Sequence, residues 1–282
     1  MMLKHPPPEE TRSSEQLRQH YEVERELADR LRKAPPKERV GLYSILYDEL
    51  YRRVPLHPRL TRKTNPALAK QAIDESMVLL GRFLRPDTVY LEIGPGDCGL
   101  TLHVSKLVKK AYAVEVSKEA TKHIQTPANM ELIISDGKSI DVPAGTVTLA
   151  YSNQVMEHIH PDDAFEQLQN ISRAMSPGGA YICATPNRLS GPHDISQYFD
   201  EFATGMHMKE YTAGELKKLF TDVGFSRVKA YMGVRNSYSS CPMGTVTSVE
   251  SYVADVPFGV RKRIVTLPGV RNFLRATLVA FK

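Results

Sequence analysis

Short apolar segments with high strand propensity alternate along most of this chain with segments of helical periodicity. Seven segments are predicted strands: TVYLEI, AYAVEV, MELIIS, TVTLAYS, AYICAT, SRVKAYMG and LRATLVAFK. Helical segments such as GLTLHVSKLVKK and PDDAFEQLQNISRAMS separate most of them. This alternation is typical of a mostly parallel sheet with helices on both faces. The sequence therefore predicts an α/β fold with a seven-stranded sheet.

A charged helical region precedes the alternating pattern. Within it, VGLYSILYDELYRRV places Tyr43, Tyr47 and Tyr51 four residues apart, so the three rings share one helical face. Two interpretations remain open for this tyrosine stripe. It packs against the main body of the protein, or it forms a lid whose phenols reach the active site.

The pair Asn65-Pro66 is typical of a helix start, with Asn as the N-cap and Pro at the first helical position. The charge pattern also changes near this point. We therefore predict a helical N-terminal cap over residues 1–65 and a main domain over residues 66–282, with an insertion at about residues 238–273.

Composition and charge favour a cytoplasmic protein with a sizeable core. The 282 residues are 41% hydrophobic, and the net charge of +5 is too small to indicate a nucleic-acid partner. The three cysteines are far apart without a CxxC pair, which is typical of reduced thiols. No segment approaches the roughly 18 apolar residues of a membrane span. We expect no nucleic-acid or membrane partner, and the oligomeric state stays open.

A glycine-rich loop follows the first predicted strand. Gly94, Gly96 and Gly99 in LEIGPGDCG fit G-x-G-x-x-G, which alone is a weak signal and could reflect only a tight turn. Glu92 argues against a bound phosphate, because its carboxylate would face that phosphate at short range. A ligand with an adenosine, no phosphate and a positive charge fits better. S-adenosylmethionine carries both a sulfonium and an ammonium group.

The ends of the next three predicted strands are also polar. Glu115 closes the second strand, where an acid can accept hydrogen bonds from both ribose hydroxyls. Asp136 and Gly137 close the third, where a carboxylate can accept from an adenine amino group. Asn153 and Gln154 close the fourth. Because the carboxyl ends of parallel strands share one edge of the sheet, these residues predict one ligand site.

The segments LEIGPGDCG, AVEVS, ISDG, SNQVMEHI, SRAMSPGGAYICATPN and YTAGELKKLFTDVGF resemble those of the class I S-adenosylmethionine-dependent methyltransferases. The resemblance covers roughly residues 76–232 and the final strand, and it implies a Rossmann-like sheet. One departure is that the third glycine of the loop is Gly99, whereas Cys98 stands at the family position. The cofactor-binding residues that follow from the pattern and the resemblance are Glu92, Gly94, Pro95, Gly96, Glu115, Val116, Asp136, Gly137, Asn153 and Gln154.

Methyl transfer from a sulfonium depends on positioning a nucleophile in line with the methyl group, with a base where the nucleophile is a hydroxyl. No compact catalytic motif is therefore expected. The long segment NRLSGPHDISQYFDEFATGMHMKEY follows the fifth strand and mixes histidines with aromatic residues, as substrate-shaping loops do. We predict three candidate catalytic residues and three substrate contacts, namely His193, Tyr211 and His158, and Tyr47, Tyr198 and His207.

Simpler roles compete with these assignments. His193 caps a turn behind Gly191-Pro192 in one alternative, and His158 stacks near the cofactor in another. A metal site formed by Glu157, His158 and His160 is not expected, because two histidines two residues apart need further ligands that nothing nearby supplies. We therefore predict no metal.

Three functions remain open from the sequence. The first is methyl transfer to a small molecule, and the second is a cyclase or lyase that consumes the same cofactor and releases methylthioadenosine. The third is a non-catalytic module that binds the cofactor. A nucleic-acid methyltransferase is disfavoured, because SNQV follows the fourth strand in place of an aromatic-bearing [DNS]-P-P-[YFW] loop.

Overall fold

The computed structural model describes residues 6–7, 10–63, 65–234 and 237–282. Its N-terminal helices are α1 (Ser14–Lys33), α2 (Pro36–Arg39), α3 (Leu42–Arg53), α4 (Pro58–Lys63) and α5 (Pro66–Leu80). The side chain of Asn65 accepts hydrogen bonds from the amides of Ala67 and Leu68, which confirms the predicted start of α5. The boundary between a cap and a main domain at residue 65 stays a prediction.

The described residues form an eight-stranded sheet, one strand more than predicted. Its strands are β1 (Val89–Ile93), β2 (Lys110–Glu115), β3 (Met130–Ile134), β4 (Val147–Asn153), β5 (Met175–Ala184), β6 (Arg227–Val234), β7 (Ser237–Cys241) and β8 (Thr277–Phe281). The order is β3-β2-β1-β4-β5-β8-β6-β7. The strands from β3 to β5 are parallel, whereas β8 is antiparallel to β5 and β6. The α/β fold with a mostly parallel sheet is confirmed.

The additional strand β7 pairs with β6 at the edge of the sheet. Its sequence, SYSSC, lacks the apolar alternation that would have predicted a strand. After β7 come α10 (Met243–Asp255), α11 (Phe258–Ile264) and α12 (Pro268–Leu274), which lead into β8.

Helices cover both faces of the sheet. They include α6 (Gly99–Ser105), α7 (Lys118–Thr121), α8 (Pro161–Ala174) and α9 (Ala213–Asp222). In β1, Leu91 and Ile93 belong to the core cluster that contains α1, α3 and α8, while Tyr90 belongs to the cluster with α5 and α6. This period of two places Glu92 on the same face as Tyr90.

A buried ion pair fixes α2 and α3 against α8. Arg39 Nε lies 2.8 Å from Asp163 Oδ2 and Arg39 Nη2 lies 2.9 Å from Asp163 Oδ1, so the pair is bidentate. The Tyr43 hydroxyl donates to Asp163 Oδ2 at 2.8 Å and accepts from the His160 amide at 3.0 Å. These contacts hold the tyrosine stripe beside the carboxyl ends of the central strands.

Candidate functional site

Two adjoining cavities open at the carboxyl ends of β1, β2 and β4. The first has about 580 Å³ of empty space, and its lining includes the tyrosine stripe, Glu115, Gly137 and His158. The second has about 930 Å³, and its lining includes Glu92 and the glycine loop. Gly94 and Arg59 line both cavities.

Glu115 ties the glycine loop to the end of β2. Its Oε2 accepts from the Gly96 amide at 2.8 Å, and its Oε1 accepts from the amides of Val116 and Ser117 at 2.8 and 3.1 Å. An ionised carboxylate offers about four acceptor sites, so these bonds leave capacity for a further donor. Glu115 and Val116 both line the first cavity, as a ribose-binding strand end would.

Glu92 lies in the lining of the second cavity. Its Oε2 accepts from the Thr101 hydroxyl at 2.5 Å and from the Tyr90 hydroxyl at 3.3 Å. Burial raises the pKa of Glu92 to about 7, although these two hydrogen bonds act to lower it. A cation placed beside this carboxyl would favour its ionised form.

Two glycines permit close approaches around the cavities. Gly94 has φ +68°, and a Cβ there would lie 2.6 Å from Val155 Cγ2. Gly137 has φ +99°, and a Cβ there would lie 2.6 Å from Tyr43 Cδ2. Glycine is therefore needed where the first strand meets the loop after β4 and where the tyrosine stripe meets the loop after β3.

Two residues, Asp136 and Gln167, differ in how well they suit the role of hydrogen-bond acceptor for adenine. The Asp136 carboxylate accepts from the amides of Lys138 and Ser139 at 2.9 and 2.7 Å, and it is absent from the described lining of both cavities. Gln167, on α8, lines the first cavity and donates to the Gly137 carbonyl at 2.7 Å. Its buried Oε1 has no hydrogen-bond partner among the described residues. No motif in the sequence had pointed to Gln167.

Arg59 is a second residue that the sequence did not single out. It lies on α4, and its Nη2 is 3.4 Å from the Gln154 carbonyl. Burial opposes its charge, but Tyr51 and Glu115 raise the pKa of Arg59, so it stays a cation. Of the predicted residues beside it, Pro95, Gly96 and Asn153 line the second cavity, and Gln154 lines the first.

The tyrosine stripe packs against the body of the protein and lines the first cavity, while its role as a lid over an active site stays a prediction. All three rings line the first cavity. Tyr43 packs against the body of the protein, with its hydroxyl bonded to Asp163. The buried hydroxyl of Tyr47 has no hydrogen-bond partner among the described residues, so it is available for a hydrogen bond to a ligand.

Two histidine rings are in contact next to Tyr47. The rings of His158 and His207 have centroids 4.8 Å apart, and the Tyr47 ring lies 5.9 Å from that of His158. Burial lowers the pKa of His158 well below its ordinary value, so its ring is neutral. Burial also disfavours charge on His207, but its hydrogen bond to Glu210 and the charge of Glu157 raise the pKa of His207 to about 9.

The remaining predicted residues lie elsewhere. His193 Nε2 is 3.2 Å from the Asn187 carbonyl, and the ring lines a separate cavity that shares only Gln154 with the first. Tyr211 is buried in the large core cluster, and Tyr198 packs in a small cluster against α1. Neither tyrosine is in the described lining of the two cavities. The catalytic and substrate roles of these three residues stay predictions.

No helix in the described ranges combines the length and the apolar character that crossing a bilayer requires.

Comparisons with known proteins identify the family. A family model described as a methyltransferase domain matches residues 20–230. The chain is 22% identical over 198 residues to an indolepyruvate C-methyltransferase of Streptomyces griseus, covering 65% of this chain and 60% of that protein. It is 23% identical over 179 residues to a probable S-adenosylmethionine-dependent methyltransferase of Mycolicibacterium smegmatis, covering 60% of this chain and 66% of that protein. The chain thus spans somewhat less than two thirds of each relative.

A solved structure agrees in fold. A SAM-dependent methyltransferase from Archaeoglobus fulgidus has a TM-score of 0.51 and 18% identity, and the match covers 85% of this chain and 100% of that one. Because the family model spans most of the chain, the resemblance that the sequence motifs indicated is confirmed. The chain belongs to the methyltransferase-domain family, which confirms its predicted place among the class I S-adenosylmethionine-dependent methyltransferases.

Proposed function

We propose that the protein uses S-adenosylmethionine as its cofactor and transfers the methyl group to a small-molecule acceptor. The observation that carries this proposal is the pair of cavities that meet at Gly94 and Arg59. One cavity offers partners suited to a nucleoside, and the other offers a carboxylate and a glycine loop suited to a charged amino-acid chain. Family membership supports the same assignment.

In this proposal the first cavity holds the nucleoside. The remaining acceptor capacity of Glu115 receives the ribose hydroxyls, and the unpartnered Gln167 Oε1 receives the adenine amino group. A buried acceptor without a donor is costly, and such a ligand would remove that cost. Gln167 thereby takes the role that the sequence had given to Asp136, which is absent from the described lining of the first cavity.

The second cavity holds the amino-acid end of the cofactor. The Glu92 carboxylate faces the ammonium group of the cofactor. The cofactor's own carboxylate pairs with Arg59, which lines both cavities. A charged hydrogen bond of each kind contributes on the order of 1.5–3 kcal/mol. The amide groups of the glycine loop then lie along the chain that joins the two ends.

The acceptor binds in the first cavity against Tyr47 and His158, beside Gln154. Enclosure by α3 supports a small acceptor, because a polymer would need an open groove. A curated relative named for C-methyl transfer to indolepyruvate is consistent with this class. A cytoplasmic location fits three cysteines that form no disulfide.

The test is to identify the product of the cofactor by mass spectrometry. The full chain is incubated with S-adenosylmethionine alone, with a dialysed macromolecular extract, and with the small-molecule filtrate of the same cells. We expect S-adenosylhomocysteine to form only with the filtrate, and the Glu115→Ala variant to lose most of this turnover. Formation of methylthioadenosine from cofactor alone, or turnover only with the macromolecular fraction, would contradict the proposal.

A further inference from the structure

A compact polar cluster adjoins the first cavity at His158, which lines that cavity. It consists of Glu157, His158 and His207. One potential ligand atom from each residue lies within 4.8 Å of the other two. Glu157 is fully buried, and its Oε2 accepts from the Thr185 hydroxyl at 2.8 Å. Its Oε1 is also buried but has no hydrogen-bond partner in the described part of the chain. A buried carboxylate oxygen in this state calls for a cation or a donor.

Hydrogen bonds on the far side of each ring fix which nitrogen can bind a ligand. His158 Nδ1 lies 3.0 Å from the Met206 carbonyl, which can only accept, so the proton of this neutral ring is on Nδ1. His158 Nε2 therefore carries a lone pair, 3.9 Å from Glu157 Oε1. His207 Nδ1 lies 2.7 Å from Glu210 Oε1 and keeps its proton there, so Nε2 is the nitrogen that can bind a metal once its own proton has left.

This arrangement is characteristic of metal-binding histidines, which donate the other ring nitrogen to a carbonyl or a carboxylate. We propose that Glu157, His158 and His207 bind one divalent transition-metal ion, with Zn²⁺ as the reference case. Two imidazole nitrogens and one carboxylate oxygen are ligands that such ions accept, with at least one position left open. The metal site shares His158 with the proposed acceptor site, but metal binding is measured without cofactor or acceptor, so its failure can be distinguished from failure of the proposed methyl transfer.

A second cluster of the same composition differs in the hydrogen-bond partners of its histidines. His20, Glu24 and His57 also bring ligand atoms within 4.8 Å of one another. Their outer nitrogens, however, face donors: His20 Nδ1 lies 2.7 Å from Arg12 Nη1, and His57 Nδ1 accepts from the Arg59 amide at 3.1 Å. Each neutral ring must then carry its proton on Nε2, toward Glu24.

Each carboxylate oxygen of Glu24 in turn already has a hydrogen-bond partner. Its Oε1 lies 2.8 Å from His20 Nε2, and its Oε2 accepts from the Met206 amide at 3.0 Å. The His20 cluster therefore needs no metal and provides a matched control within the same chain.

Binding requires two adjustments at the proposed site. Metal–ligand bonds of about 2.0–2.2 Å place ligand atoms roughly 3–3.5 Å apart, so the three side chains must close by about 1 Å. The proton of His207 must also leave when the ion enters. The Glu210 carboxylate, whose Oε1 lies 2.7 Å from His207 Nδ1, adds negative charge beside the site and so favours a dication.

The experiment measures zinc binding by the full chain, purified without a histidine tag and dialysed against a chelator. Calorimetric titration with Zn²⁺ should give one equivalent per chain, and Co²⁺ should give a visible absorption band typical of imidazole ligands. His207→Gln and Glu157→Gln should each weaken binding by about 100-fold or more, since loss of an outer partner alone costs 10–100-fold. His57→Gln should leave the affinity within about twofold.

Melting curves establish that each variant is folded. If His207→Gln does not fold, the loss of zinc affinity is tested with Glu157→Gln alone. A folded wild-type chain that binds no stoichiometric Zn²⁺ would overturn the proposal. Loss of binding in His57→Gln with retention in His207→Gln would overturn it as well.

Discussion

The two cavities share Gly94 and Arg59 but differ in what encloses them. The first is covered by the tyrosine stripe of α3, which is fixed to the body of the protein through Asp163. The second is bounded by the glycine loop and by small or apolar residues of α5, such as Ala69 and Ala72. In the proposed complex, the nucleoside is thus enclosed by the N-terminal helices, while the charged end of the cofactor lies in a separate compartment.

In this proposal, the two ends of one cofactor depend on different parts of the chain. Most of the second cavity is formed by α5 and the glycine loop, which adjoin β1 in sequence, and β4 contributes Tyr151 and Asn153. The first is complete only when α2 and α3 dock on α8, far along the chain. Variants can therefore weaken one end and spare the other, and ligands that contain only one end can report which cavity has changed.

The largest expected effect concerns the anchor of the first cavity. Arg39→Met removes one partner of the buried pair with Asp163, and breaking such a pair costs about 3–5 kcal/mol of the free energy of unfolding. Chemical denaturation should show this loss. Methylthioadenosine, which lacks the amino-acid end, should also bind more weakly, because the tyrosine stripe loses its anchor.

A double variant, Arg39→Met with Asp163→Leu, is the control, because it removes the stranded charge. It should recover part of the lost stability. If Arg39→Met unfolds at the wild-type denaturant concentration, the ion pair does not hold the cap in place.

A smaller effect concerns the charge in the second cavity. The pKa of Glu92 is about 7, above its ordinary value of 4.5, because the carboxyl is buried. Since the ammonium group needs the ionised form, affinity for S-adenosylhomocysteine should fall as the pH drops below 7, by up to about tenfold per unit. Calorimetry between pH 6 and 8 measures this slope.

Two controls separate Glu92 from other titrating groups. Methylthioadenosine has no ammonium group and should show no such slope, and neither should S-adenosylhomocysteine on the Glu92→Gln variant. An unchanged slope in that variant would assign the pH dependence to another residue. For the free protein the sign is opposite, because a raised carboxyl pKa lowers stability as the pH rises from about 4.5 through 7.

The sequence predicted the parts of the site that lie at strand ends. Glu92 and Glu115 follow from the alternation of strands and helices, because parallel strands bring their carboxyl ends together. The glycines followed from the loop that joins β1 to α6. These are local patterns, and the structure places both carboxylates in the linings of the cavities.

The parts that escaped prediction depend on distant segments. Gln167 and Arg59 lie on helices with no motif of their own, and only the docking of those helices brings them to the cavities. The prediction of no metal stays a prediction; it considered only the neighbours of His158 in sequence, whereas the proposed metal site also needs His207, about 50 residues farther along the chain. Strand β7 was missed because its polar sequence reflects an exposed edge.

The central claim is that both cavities together hold one cofactor, with its carboxylate on Arg59. The most direct test titrates S-adenosylhomocysteine and methylthioadenosine into the wild type and into Arg59→Met. We predict that the variant loses about tenfold or more in affinity for S-adenosylhomocysteine, as expected for a lost charged hydrogen bond, and clearly less for methylthioadenosine, for which only the contact of Arg59 with the first cavity is lost. Glu115→Ala, which alters the nucleoside end, should weaken both ligands by about tenfold or more. Equal losses for both ligands in Arg59→Met, or unchanged affinity for both in Glu115→Ala, would contradict the account.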